Sequence, residues 1–415
     1  MGFFLTEQSQ ETPIRRRDPF GFAKIANHYA DLLAPGITNR NRDARWITIL
    51  CWSLRQVEDD FAYTSQDEAY NYLRGLELRW IIEACHRWDR GRGRQLPGSR
   101  AVRDCSPGIW PRLREEKMGD DQWRRYQYVG PYASYRGLMQ EMALLEDDGL
   151  TLTSEGKKLS RIIPLQTTNC RRQSNGDWVD YWLRRWPIGQ RRESILPRTS
   201  TSLRLPVAEA NILNPLLFAV DDDAKRREVV AKTLEGTRSE THSGMCTELQ
   251  QRLQKTSGWA EDEQILLQQL GSFAAIADSA VDVLKKAFRL IKQPIDVGSA
   301  AKKMGKELCA LQNATNGWSQ DKVWPDVDSF ALRLNRLRDD GDFLAELICL
   351  HEERGGGQRW VALSNGQLDR AVRFSDPPYG FYRFRLESLG RLAVGVGIIK
   401  QMPPVFRMPD DEEED

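Results

Sequence analysis

The sequence predicts a mainly α fold with small β hairpins, multidomain, with an embedded winged helix. Three observations carry that expectation. Apolar residues recur at helical spacing along most of the chain, and turn dipeptides at Asp148-Gly149 and Asn365-Gly366 are the clear hairpin signals. The third is residues 128–160, YVGPYASYRGLMQEMALLEDDGLTLTSEGKKLS, which read as a helix, a tight turn, a short hairpin and a new helix start, the order of the second half of a winged helix.

Taken in order, residues 1–17 are polar, end in Arg15-Arg16-Arg17 and predict a loose arm. Phe20, Ile25, Tyr29, Leu32 and Leu33 then mark a helix that Pro35-Gly36 stops. The segment after it predicts a long helix with Trp46, Ile49, Leu50 and Leu54 as its buried stripe, and residues 66–90 predict another, closed by Gly91, Gly93 and Pro97-Gly98. In the winged-helix segment, 106–163, Leu138, Met142 and Leu145 form the expected core. Leu150-Thr151-Leu152 alternates like a strand, and Thr153 opens the next helix. Helical patterns follow Pro206, and Glu261–Ile291 is the clearest long amphipathic helix, ended by Pro294. Two helices at about 327–338 and 342–353, a hairpin at Asn365-Gly366 and a last helix in RFRLESLGRLAVGVGII complete the reading. Composition shifts and breakers divide the chain into residues 1–105, 106–165, 166–300 and 301–415.

At 415 residues the chain is long enough for two or three domains. No apolar run approaches the roughly 18 residues of a membrane span, so no membrane partner is expected. Seven cysteines at scattered positions do not make the dense even framework of a secreted protein, and a reducing cytoplasm is the expected compartment.

The formal net charge of +1 hides a segregation. Between Arg161 and Arg204 nine arginines face three acids, whereas residues 410–415 are all acidic. Within this basic stretch Arg171, Arg172, Arg184, Arg185, Arg191 and Arg192 alternate with Trp178, Tyr181, Trp182 and Trp186. Arginines neutralise phosphates and aromatic rings stack on exposed bases, so the pattern suits a nucleic-acid groove. The tryptophans also sit at i, i+4 and i+8, which suits the buried stripe of a helix with arginines on its wet side; both readings stay open. With Arg136, Lys157 and Lys158 of the winged-helix segment, the six arginines are the expected nucleic-acid contacts.

Catalytic signals are weak. His351-Glu-Glu-Arg-Gly-Gly-Gly357 lacks the second histidine of HExxH, and a helix end and loop feeding the next strand account for it. Gly298-SAAKKM-Gly305-Lys306-Glu307 has six residues between its glycines where a phosphate-binding loop needs four, and Glu stands where Ser or Thr would hold magnesium. The histidine and cysteine spacings form no metal site or nucleophile pair. No catalytic residue, metal or cofactor is therefore assigned.

Two further blocks, A-D-L-L-x-P-G at Ala30–Gly36 and R-x-R-D-A-R-W at Arg40–Trp46, together with HEERGGGQRWVAL from His351, carry a resemblance. The segment resembles bacterial proteins of phage-defence islands, including the family called domain of unknown function 6361. The resemblance implies context and no assigned chemistry. The resulting expectation is a non-enzymatic DNA-binding or DNA-sensing subunit of an antiphage defence module, with DNA and other defence-system subunits as partners. A metal-dependent nuclease, or an assembly protein whose winged helix docks another subunit, are the alternatives.

Overall fold

The computed structural model describes residues 18–60, 65–87, 130–163, 205–319, 323–355, 360–371 and 382–407. In chain order the described helices begin with α1 (Ala23–Leu33), α2 (Arg45–Asp60), α3 (Gln66–Arg87), α4 (Pro131–Glu141) and α5 (Ser154–Ser160). Next come α6 (Val207–Phe218), α7 (Asp222–Glu235), α8 (His242–Leu253), α9 (Glu261–Leu290), strand β1 (Ile295–Asp296), α10 (Val297–Lys303) and α11 (Gly305–Asn316). The chain continues through α12 (Pro325–Asn335), α13 (Asp340–Arg354), β2 (Val361–Ser364), β3 (Gln367–Arg370) and α14 (Leu386–Gly395). The fold is thus mainly helical, with one small antiparallel sheet among the described residues, in the order β1-β3-β2.

These elements divide into two units, one from residues 1–32 and 236–384, the other from residues 33–235 and 385–415. Each is discontinuous in sequence. Breakers and charge shifts mark where elements end, but they do not reveal which distant elements share a core.

In the first unit α9 is the main support, about 45 Å long at 1.5 Å per residue. Glu261, Asp262 and Glu263 occupy its first turn, where negative charge complements the helix dipole, and the Glu263 carboxylate accepts from Ala260 N (3.0 Å). Leu267, Leu270, Phe273, Ala277, Val281 and Leu284 are buried, as the amphipathic pattern predicts. Aromatic rings close this core: Phe22 lies edge-on to Phe330 (5.2 Å between centroids) and Phe273 (5.7 Å), and Tyr29 stacks on Phe273 (5.5 Å). Tyr382 OH donates to the Asp18 carboxylate (2.6 Å).

The Asn365-Gly366 turn joins β2 to β3, as expected. The pairing of Ile295 with Leu368, which adds β1, is not legible in a two-residue strand. His351 is fully buried at the end of α13. Trp360 N donates to its Nε2 (3.0 Å), so Nδ1 carries the proton and donates to Pro19 O (2.8 Å). This histidine is therefore structural, as the reading of its segment as a helix end allows.

In the second unit α2 corrects an expectation. Trp46, Ile49, Leu50 and Leu54 are buried as predicted, but so are Ile47, Thr48, Cys51, Trp52, Ser53 and Gln56. A one-sided stripe was expected because polar residues interrupt the apolar ones; α3, α4 and α5 all pack against α2 and cover the other faces as well. Trp52 and Trp80 meet edge to face there (5.4 Å). All ten residues of α14 are also buried, and Gly395 O accepts from Leu205 N (2.9 Å).

Residues 130–163 form the expected succession of helix, hairpin turn and helix. Leu138, Met142 and Leu145 are at most 5% exposed, and Leu150, Leu152 and Leu159 are buried as well. Leu150-Thr151-Leu152 makes only a single antiparallel bridge, Leu145 to Leu152, and not a strand. The reason is the turn: Asp148 Oδ1 accepts from Leu150 N and Thr151 N (both 2.8 Å), which takes those donors from a longer ladder. Gly149 has φ +73°, which favours glycine. Thr153 caps α5 by accepting from Gly156 N (3.2 Å) while its hydroxyl donates to Ala143 O (2.6 Å). Gly156 itself is required by close approach, since a Cβ there would lie 2.3 Å from Leu144 O. Residues 106–129 lie outside the described residues.

Candidate functional site

Of the expected nucleic-acid contacts, Arg171, Arg172, Arg184, Arg185, Arg191 and Arg192 lie outside the described residues. Arg136, Lys157 and Lys158 lie within the helix, hairpin and helix segment. Arg136 folds back over the turn, so close that a Cβ on Gly149 would meet its guanidinium at 2.6 Å. Lys157 Nζ pairs with Glu58 (3.1 Å) and Lys158 with Glu155 (2.5 Å), the Lys158 side chain remaining 61% exposed. Exposed ion pairs of this kind are worth about 0–1 kcal/mol, so a phosphate can exchange for the carboxylate.

The R-x-R-D-A-R-W block builds a buried polar network within the second unit. Arg45 and Glu209 form a buried ion pair, Arg42 reaches Glu387 (3.5 Å), and Arg391 reaches the same carboxylate (3.2 Å). Asp43 Oδ1 accepts from Arg45 N (2.9 Å), and its carbonyl accepts from Tyr135 OH (2.9 Å). Burial pushes the Asp43 carboxyl up to about 6, with Arg45 and Arg391 limiting the rise. Asn41 Nδ2 donates to Ser134 O (2.8 Å). In the preceding block, Pro35 O accepts from the buried Arg227 (2.9 Å). These partners fix the path of the chain into α2, which gives both blocks a structural part.

One constellation arises only in three dimensions. His242 Nδ1 lies 3.0 Å from Asp278 Oδ2, and Cys246 Sγ lies 3.7 Å from His242 Nε2, a thiol, imidazole and carboxylate in the order used to activate a nucleophile. The sequence hides it because Asp278 stands on α9, 36 residues away. A nucleophile must meet its substrate, however, and Cys246 has none of its surface exposed. The Phe384 ring packs on the imidazole at 5.4 Å. The thiol is thus enclosed in the core of the first unit, while the His242 and Asp278 side chains are 12% and 29% exposed.

An open, charged feature of that unit is a cleft of about 370 Å³ between α9 and α11. Lys285, Lys286 and Arg289 come from α9 and Lys306 from α11, against Asp282 and Glu307. The cationic side is legible as Lys285, Lys286 and Arg289 at i, i+1 and i+4. That Lys306, in the segment set aside as a failed phosphate loop, stands across from them depends on which faces of α9 and α11 meet. Among the described residues no group of histidines, cysteines and carboxylates could hold a metal ion, and no helix is long and apolar enough to cross a membrane.

Comparison with protein-family models, with curated proteins and with solved structures finds no match to the chain.

Proposed function

We propose that the protein is a non-enzymatic DNA-binding or DNA-sensing subunit of a bacterial antiphage defence module, acting in the cytoplasm with catalytic partners on separate chains. The observation that carries this reading is a juxtaposition along the chain. A helix, hairpin and helix segment packed on α2, with Lys157 and Lys158 partly exposed on it, leads directly into a stretch of nine arginines and three acids. Such a stretch serves phosphate contacts better than base readout, so binding is expected to show little sequence preference.

Salt dependence tests the proposal. If six arginines contact phosphates, log K against log salt falls with a slope of about −5, and each contact removed reduces that slope by about one. Replacing Arg184, Arg185, Arg191 and Arg192 by Ala and titrating labelled duplex at several salt concentrations is expected to flatten the slope by about four. Unchanged affinity and slope in a folded variant would assign these arginines to structure or to a protein partner.

A further inference from the structure

We propose that the cleft between α9 and α11 is a phosphate-backbone site for nucleic acid, an inference that rests on the DNA-binding reading above and adds a site on the other unit. Its ion pairing is uneven. Lys285 pairs with Asp282 (3.3 Å) and Lys286 with Glu307 (3.5 Å), which uses both acids of the cleft. Arg289 and Lys306, exposed and contributed by the two facing helices, have no carboxylate within ion-pair distance among the described residues. The cleft therefore carries two cations beyond its acids, and two like charges face one space. An anion seated between them relieves their repulsion and engages a guanidinium fork that matches phosphate oxygens.

The walls define the class of anion. The volume of about 370 Å³ lies within the roughly 300–1,000 Å³ usual for ligand sites. Among the described residues no aromatic ring lines it, and the remaining lining residues are Ser279 and Ala310. A free nucleotide would find nothing on which to stack its base, whereas a phosphodiester backbone needs only the charges. At the α11 end, Met304 offers no side-chain acceptor to the first turn of the helix, so the positive end of its dipole is not capped there.

The test uses the full chain with Arg289→Gln and Lys306→Gln combined, and Lys232→Gln, a surface cation of α7, as the control. Labelled duplex is titrated between 50 and 200 mM salt, in the presence and absence of inorganic pyrophosphate. Loss of two phosphate contacts flattens the slope by about 1.8, so the ratio of wild-type to variant affinity shrinks roughly tenfold across that range. The control is expected to reduce the slope by less than half as much. Because both residues are exposed, the double variant is expected to fold, and its thermal melt checks this. Lys306→Glu alone supplies a second variant with a larger loss at low salt. If the wild type binds duplex and neither cleft variant alters affinity or slope, the cleft assignment falls while the DNA-binding reading stands. If the wild type binds no duplex at 50 mM salt, both fall. Pyrophosphate binding that the double variant abolishes, with duplex binding unaffected, overturns the backbone assignment in favour of a small phosphoryl ligand.

Discussion

His242 shows how one enclosed ring links the fold to pH. Its side chain is 12% exposed, with Asp278 on one nitrogen and Cys246 beside the other. Burial pulls its pKa down, but the Cys246 sulfur and the Asp278 carboxylate outweigh burial and push it up to about 10. A histidine in the unfolded chain titrates near 6.5, so the native state holds this proton more tightly. The stabilisation is fully present below about pH 6.5 and is lost as pH rises through about 10. Urea melts from pH 6 to 10 are expected to show wild-type stability falling across the window and His242→Gln falling less. Parallel curves for the two proteins would show that the ring carries no extra proton in the fold.

At the scale of elements, the segment 130–163 is the most exacting case. Thr153 both caps α5 and ties it back to Ala143, so Thr153→Ala is expected to cost about 1 kcal/mol or slightly more. Leu138→Ala, which empties a site 1% exposed, is expected to cost roughly 2–5 kcal/mol. Thermal and denaturant melts measure both, and a Leu138→Ala protein as stable as the wild type would remove this residue from the core. The segment was legible because each signal in it is local: Asp148 and Gly149 make the turn, Thr153 makes the cap, and the leucines recur at helical spacing. The faces of α2 were not legible, because Thr48, Ser53 and Gln56 look like a wet side until α3, α4 and α5 close over them. The cleft and the His242 set were hidden for the same reason. Each depends on α9 meeting a particular neighbour, and the spacing of residues along one helix does not specify its partner.

At the scale of the whole molecule, near neutrality is a balance between segregated charges. Removing residues 410–415 removes six acids and raises the formal net charge from +1 to +7. If the protein binds DNA through phosphates, the chain ending at residue 409 is expected to bind duplex more tightly at 50 mM salt. The difference should fade toward 200 mM as screening shortens the reach of the charges. Equal affinity at 50 mM would show that the tail does not oppose binding. The interleaving of the two units has a different consequence, one of timing. Asp18, Phe20, Phe22 and Tyr29 find their partners at Phe273, Phe330 and Tyr382, and Asp18 and Tyr382 stand 364 residues apart. A ribosome adding about 5–20 residues per second takes roughly 20 to 70 seconds to cover that distance. Phe273, the first of these aromatic partners to emerge, follows Phe22 by 251 residues, so for roughly 13 to 50 seconds an early aromatic segment of the nascent chain has no core to enter, which makes the growing polypeptide a natural client for chaperones that shield apolar side chains.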